Sequence, residues 1–277
     1  MIEEPNLTVI LALSILAPNI SKQKLKQALT FGAVWLTQKG RTERVRRAKR
    51  TLNVGDEIHL YYNPDILFPP IIPAKLVSYE GEYSIWNKPC GMFSQGTKWA
   101  DHSSIARWVE LFGLTKNQLP QQPSFLVHRL DRATSGLIVI AHSKKTAAQF
   151  SQLFELRKID KRYKAVVNGK FPANLVLKEL TENIDGKAAL STVLSSEYYH
   201  EADQSSLIIQ IKTGRKHQIR KHLSGIGFPV VGDRLYGRLD DLNIVKNEIV
   251  PDLMLQSNYL KFKCPISAKE KMYHLKK

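Results

Sequence analysis

The sequence predicts a fold of mixed helices and strands in two parts. Three observations carry that expectation. A short basic segment over residues 8–62 has helix and strand signals of its own, a run of prolines follows over 63–76, and strand-like and helical runs are interspersed from 77 to 277. A chain of 277 residues has room for about two domains at roughly 150 residues each. Its 43% hydrophobic content suits a chain that buries a core.

In the first part, the apolar run Leu7–Ala17 is expected to form core. Glu3 and Glu4 precede it where a secretory signal needs cations, and it falls short of the roughly 20 residues that span a bilayer. Ala12–Ala17 reads as helical until Pro18-Asn19 breaks it. Ser21 is a favourable N-cap for a second helix, Lys22–Thr30, whose Leu25 and Leu29 share one face. Gly32 ends that helix and Ala33–Leu36 reads as a strand. Lys39, Arg41, Arg44, Arg46, Arg47, Lys49 and Arg50 then crowd together, opposed by Glu43. Asn53–Asp56 is a turn into the alternating strand Glu57–Tyr62, and Pro64, Pro69, Pro70 and Pro73 punctuate a linker.

Beyond the linker, strand-like runs cover Tyr83–Asn87, Gly136–Ala141, Tyr163–Asn168, Ala189–Leu194 and Ser206–Lys212. Helical runs cover Ser103–Leu111, Lys144–Leu156 and His217–Ser224. No fixed-period repeat or low-complexity segment interrupts them.

The charge balance narrows the partner. Lys plus Arg is 41 against 25 acidic residues, a formal net charge of +16. Such a field attracts polyanions, nucleic acid foremost, although a run of charge is also what any solvated face carries. Cys90 and Cys264 stand far apart, which excludes a disulfide framework and disfavours a cysteine zinc site. No HExxH is present. We therefore expect no metal, no membrane association and a cytoplasmic location.

The chemistry is concentrated in His128-Arg129-Leu130-Asp131-Arg132-Ala133-Thr134-Ser135-Gly136-Leu137, a charged loop running into an apolar strand. A buried strand holds such a loop rigidly and presents its carboxylate to a cleft. On its own, an aspartate between arginines is more often a structural ion pair than a catalyst. This stretch, however, resembles the signature of the RluA-type pseudouridine synthases. Three further segments resemble that family in order and spacing: Tyr83–Gly91 with its Asn-Lys-Pro-x-Gly, Lys161–Gly169 with its Lys-x-Tyr-x-Ala, and Thr213–Leu223 followed by Pro229–Gly237. The segment 8–62 resembles the small RNA-binding domain of the ribosomal-protein-S-four type, departing from it where Leu36–Gly40 replaces a Val-Asn-Gly.

The resemblance implies an α+β fold: a mixed, mainly antiparallel sheet with a central catalytic cleft, plus the small N-terminal RNA-binding domain. It implies an enzyme that breaks the glycosidic bond of a uridine in structured RNA, turns the uracil over and rejoins it through carbon 5. No cofactor is needed, nucleotide or otherwise, and a monomer is expected. Asp131 is implied as the catalytic carboxylate, with attack on sugar, attack on base and removal of a sugar proton all open. Tyr163 is implied to lie against the base and help remove the carbon-5 proton, and Arg215 to pair with Asp131 and keep it ionised. Ile219 would wall the uracil. A stacked uridine must be extruded to reach Asp131, so Arg129 and Arg132 are expected to clamp phosphates, with Arg129 filling the vacated stack. Lys88, Arg220 and Lys221 are expected in the same basic cleft, and His128 either touches RNA or is a structural histidine.

Ribosomal RNA is the expected target, with transfer RNA as the alternative. A non-catalytic RNA-binding or ribosome-assembly protein would show the same charge. A protein kinase reading of His-Arg-Leu-Asp fails for want of a glycine-rich loop and a downstream Asp-Phe-Gly, and a serine hydrolase for want of GxSxG.

Overall fold

The computed structural model describes residues 2, 6–68, 72–237 and 251–275. Pro69 and Pro70 of the expected linker lie outside the described residues, as do residues 238–250 and 276–277 of the expected second domain. The chain divides into two compact units, Met1–Ile72 with Gln95–Phe112, and Pro73–Ser94 with Gly113–Lys277. Residues 95–112, read from the sequence as part of the second domain, thus pack with the first.

The first unit sets helices α1 (Val9–Leu16) and α2 (Lys22–Thr30) beside a three-stranded antiparallel sheet of β1 (Val34–Gln38), β2 (Arg41–Arg44) and β3 (Glu57–Leu60), with β1 central. Short helices α3 (Pro64–Leu67) and α4 (Ile105–Trp108) complete it. Ser21 caps α2 by accepting the Lys24 amide, and Leu25 and Leu29 are buried with Leu13, Leu36 and Leu52. Part of the basic stretch is engaged within the first unit. Its first part pairs with β1 as β2, and Asp101 draws in two of its cations, Arg44 at 3.1 Å and Arg46. Arg50 bonds Glu43 at 3.0 Å.

The second unit is built on one large sheet, in the order β4 (Lys75–Tyr79), β5 (Tyr83–Lys88), β7 (Ser135–Ala141), β12 (Leu255–Lys263), β8 (Asp160–Asn168), β11 (Gln204–Ile211), β10 (Ser191–Tyr199), β9 (Glu179–Leu180). Strand β6 (Phe125–Leu126) adds to β7 and β13 (Glu270–His274) to β12. Helices α5 (Leu114–Lys116), α6 (Lys144–Glu155) and α7 (Gln218–Gly225) complete this unit. The pairings are antiparallel except one: β7 meets β12 in parallel, and only through Ser135 with Gln256 and Gly136 with Ser257. The expected mixed, mainly antiparallel sheet is therefore present.

That short parallel seam positions the site. Leu137 to Ala141 are fully buried, with Tyr83, Ile85, Phe150 and Phe262 around them, so β7 is fixed by its core. Gly136 lets β7 press against β12: its φ is +113°, and a Cβ there would collide with the Ser257 backbone. Ser257 in turn sits opposite Tyr163 of β8. The loop before β7 and the middle of β8 are thereby drawn to the same end of the sheet. Among the described residues, no helix is long and apolar enough to cross a membrane.

Candidate active site

Asp131 lies in the loop entering β7, and the loop is stapled to the turn after β5. The Lys88 ammonium, at the end of β5, donates to the carbonyls of Met92 at 2.8 Å, Pro89 at 3.0 Å and Arg132 at 3.3 Å. The Ser94 hydroxyl donates to the Leu130 carbonyl at 2.6 Å and accepts the Leu130 amide at 3.0 Å. Arg132 gives its Nε–H to the Gly91 carbonyl at 3.1 Å and lies over the Phe93 ring. Asp131 is held from both sides while its own side chain stays 28% exposed.

Tyr163 rises from β8 and is buried. Burial, and then the Asp131 charge, push its phenol well above the usual range, so it stays protonated at neutral pH. The third wall comes from α7 and the turn before it. Gln218 fixes that turn: its Oε1 accepts from Thr213 Oγ1 at 2.7 Å and the Arg215 amide at 3.0 Å, while its Nε2 donates to Leu190 O and Ser191 Oγ, both at 2.9 Å. This clasp turns Ile219 and Arg220 inward, both buried.

Arg129, Asp131, Tyr163, Arg215, Ile219 and Arg220 are brought together around one cleft of about 80 Å³. An adjoining hollow of about 470 Å³ shares Asp131 and Arg220 with it and adds Arg132 and Arg234. The narrow space suits a flat ring, and the wider one leaves room for a sugar and phosphates. Arg129 is exposed at the lip. No cluster of three or more metal-ligating side chains occurs among the described residues.

The geometry departs from the sequence expectations for Lys88, Arg215 and Arg220, and for His128 it favours the structural alternative. Lys88 is fully buried and its three partners are backbone carbonyls, so it braces the Asp131 loop and does not reach RNA. Burial pushes its pKa down to about 8, with Cys90 and Asp131 opposing. His128 accepts the Val139 amide at 3.0 Å and stacks on Phe154, and burial with Lys161 pushes its imidazole down to about 3. It is a neutral structural histidine. Lys221 pairs with Asp185 at 2.6 Å.

Arg215 lines the cleft, but its Nε–H goes to the Ala188 carbonyl at 3.0 Å. The side chain that faces Asp131 is instead His217, with Nε2 3.9 Å from Oδ1. The fixed cation near Asp131 is Arg220, whose guanidinium grips Asp233 at 2.7 and 2.6 Å. Burial opposes its charge, but Asp233 and then Asp131 outweigh it and raise its pKa. Burial likewise pulls the Asp233 carboxyl up, yet Arg220 and the Leu235 and Tyr236 amides hold it below the usual carboxylate range. Arg220 is thus locked in place and not free to grasp a phosphate. Sequence reasoning missed His217, Gln218 and Asp233; the Gly232-Asp233 pair within the third motif was the available signal for the last.

Residues 82–225 match the profile of the family described as RNA pseudouridylate synthase. The chain is 30% identical to the tRNA pseudouridine synthase C of Haemophilus ducreyi over 65% of this chain and 81% of that one. It is 29% identical to the ribosomal large subunit pseudouridine synthase D of Borreliella burgdorferi over 64% of this chain, spanning 58% of that relative's length. Its fold is shared with the solved human RNA Pseudouridylate Synthase Domain Containing 1, with a TM-score of 0.58 and 21% identity over 74% of this chain and 84% of that one.

Proposed function

The chain belongs to the RNA pseudouridylate synthase family and is an isomerase acting on RNA, and from that premise we propose that Asp131 is the carboxylate through which it works. The observation that carries this reading is the convergence of Asp131, Tyr163, Ile219 and Arg220, from three separate elements, on a cleft the size of one ring. A base enters such a cleft only when its nucleotide leaves the stack, which costs a few kcal/mol and least in a loop or bulge. Arg129 at the lip is suited to the vacated stack, since a guanidinium is planar and permanently charged. Arg132, anchored on Phe93 and Gly91, lies at the wider hollow as a phosphate contact.

Inside, Ile219 and the Tyr163 ring form apolar and aromatic walls for the uracil. The raised phenol favours Tyr163 as a wall and hydrogen-bond donor over a proton acceptor at carbon 5. Arg220, fixed by Asp233, stands as a cation facing Asp131, and Arg215 supplies a further cation at the cleft.

We infer ribosomal RNA as the target in preference to transfer RNA. The support is the separate basic first unit, read as an RNA-binding domain of the ribosomal-protein-S-four type, in which Arg41, Arg47 and Lys49 are exposed. Relatives named for each kind of RNA are similar to this chain, so the target rests on that unit. Release of tritium from 5-tritiated uridine in RNA tests the site: Asp131→Asn is expected to abolish it, and undiminished release by that variant would remove Asp131 from the chemistry. Mapping pseudouridines in total RNA from a strain lacking the gene tests the target. A missing pseudouridine in transfer RNA, with ribosomal RNA intact, would select the alternative.

A further inference from the structure

His217 lines the cleft beside Asp131. It has a backbone φ of +56° and ψ of +27°, a left-handed conformation uncommon outside glycine, though histidine takes it more readily than most residues, as asparagine and aspartate do. Strain of this kind persists where the surroundings over-determine it, and it clusters at functional sites. The surroundings here are the Gln218 clasp on one side and Tyr236 on the other. The His217 ring lies between two oxygens, with Nδ1 2.9 Å from the Tyr236 hydroxyl and Nε2 3.9 Å from Asp131 Oδ1. Tyr236 is itself anchored, because its amide donates to Asp233 at 3.1 Å and its ring lies beneath the Arg220 guanidinium. A rigid scaffold thus reaches Asp131 through an imidazole.

We propose that His217 is a positioning residue for Asp131. With the Tyr236 hydroxyl donating to Nδ1, its Nε2–H faces Oδ1 and sets the rotation of the carboxylate, leaving the other oxygen to meet the flipped-out nucleotide. This rests on Asp131 being the catalytic group. Burial, Arg220 and Lys216 lower the imidazole pKa against the opposing pull of Asp131 and Asp233, so the ring is neutral near pH 7. A neutral donor orients an anion without cancelling its charge. The 3.9 Å gap is too long for a hydrogen bond, and such gaps in substrate-free sites tighten when the substrate is bound.

The test measures turnover and half-saturating concentration with 5-tritiated total RNA from a strain lacking the gene, each variant being checked for folding by its circular-dichroism melt. His217→Gly suits the left-handed backbone and removes the ring; it is expected to lower kcat by about tenfold to a hundredfold with the half-saturating concentration little changed. Added imidazole is expected to restore part of that rate, which a purely structural role would not allow. Tyr236→Phe deletes one oxygen, and should lower kcat in the same way without adding to the loss in His217→Gly. A folded His217→Gly with wild-type kcat, or with affinity alone impaired, overturns the proposal while an inactive Asp131→Asn leaves the catalytic carboxylate standing. If His217→Gly does not fold, a wild-type kcat in folded Tyr236→Phe overturns it instead. Full activity of Asp131→Asn sinks both readings.

Discussion

The Lys88 ammonium donates to the Arg132 carbonyl at 3.3 Å, tying the end of β5 to the residue after Asp131. A fully buried cation satisfied by three carbonyls is a brace; its removal takes a donor from the Pro89 and Met92 carbonyls, while the Arg132 carbonyl keeps the Gly91 amide at 2.9 Å. Lys88→Met is therefore expected to lower stability by about 3 kcal/mol in denaturant melts and to lower kcat through a loosened Asp131 loop. The pH dependence follows from the lowered pKa. Between about 8 and the ordinary lysine value of 10.5, the unfolded chain binds the proton that folded Lys88 has released, so this group adds stability as pH rises and withdraws it as pH falls. Wild type should gain stability relative to Lys88→Met across that window; parallel pH profiles would refute the assignment.

At the β7–β12 seam the backbone leaves no room for a methyl group. Gly136→Ala combines a φ of +113° with collision against Ser257, and is expected to destabilise by about 3 kcal/mol. Because Ser257 lies opposite Tyr163, the displaced strand should also widen the gap between Asp131 and Tyr163, so activity falls even below the melting transition. A Gly136→Ala protein with unchanged melt and turnover would show that the strands part freely there.

Several of these features were legible in the residues and others were not, for identifiable reasons. Helix α2 was readable because Ser21 caps it and Leu25 and Leu29 repeat at helical spacing; β7 because five buried apolar residues run together. Strand β2 was hidden, since Arg41–Arg44 has no apolar alternation and is a strand only through its pairing with β1. The insertion of β12 between β7 and β8 joins residues about ninety or more apart, which no local pattern encodes. At the site, Asp131 and Tyr163 were marked by motif. Arg215 and Arg220 could not be told apart from a shared basic stretch: the difference depends on α7 beginning at Gln218, which leaves Arg215 in the turn and sends Arg220 to Asp233. Lys88 misled because sequence gives a charge but not its burial.

Arg220 and Asp233 form a sealed pair, with side-chain exposures of 5% and 0%. Breaking one half leaves the other charge uncompensated, so Arg220→Met should destabilise by about 3–5 kcal/mol. Asp233→Asn keeps an oxygen for the Leu235 and Tyr236 amides that Asp233 now accepts. The double variant Arg220→Met with Asp233→Asn is accordingly expected to recover much of the stability and none of the activity, because the cation near Asp131 is gone. Recovery of turnover together with stability would reduce Arg220 to a packing role.

The first unit's cations fall into two groups that should behave differently. Arg44 and Arg46 are engaged by Asp101 and Arg50 by Glu43, so their loss should appear mainly as lowered stability. Arg47 and Lys49 are exposed, with no ion pair among the described residues. A cation that neutralises a phosphate releases a counterion, so each one lost lowers the slope of log affinity against log salt by about one and weakens binding to all sequences alike. Arg47→Ala with Lys49→Ala is expected to reduce that slope by about two in filter binding to total RNA. An unchanged slope would mean that these side chains form a solvated face, and the preference for ribosomal RNA would then lose its main support.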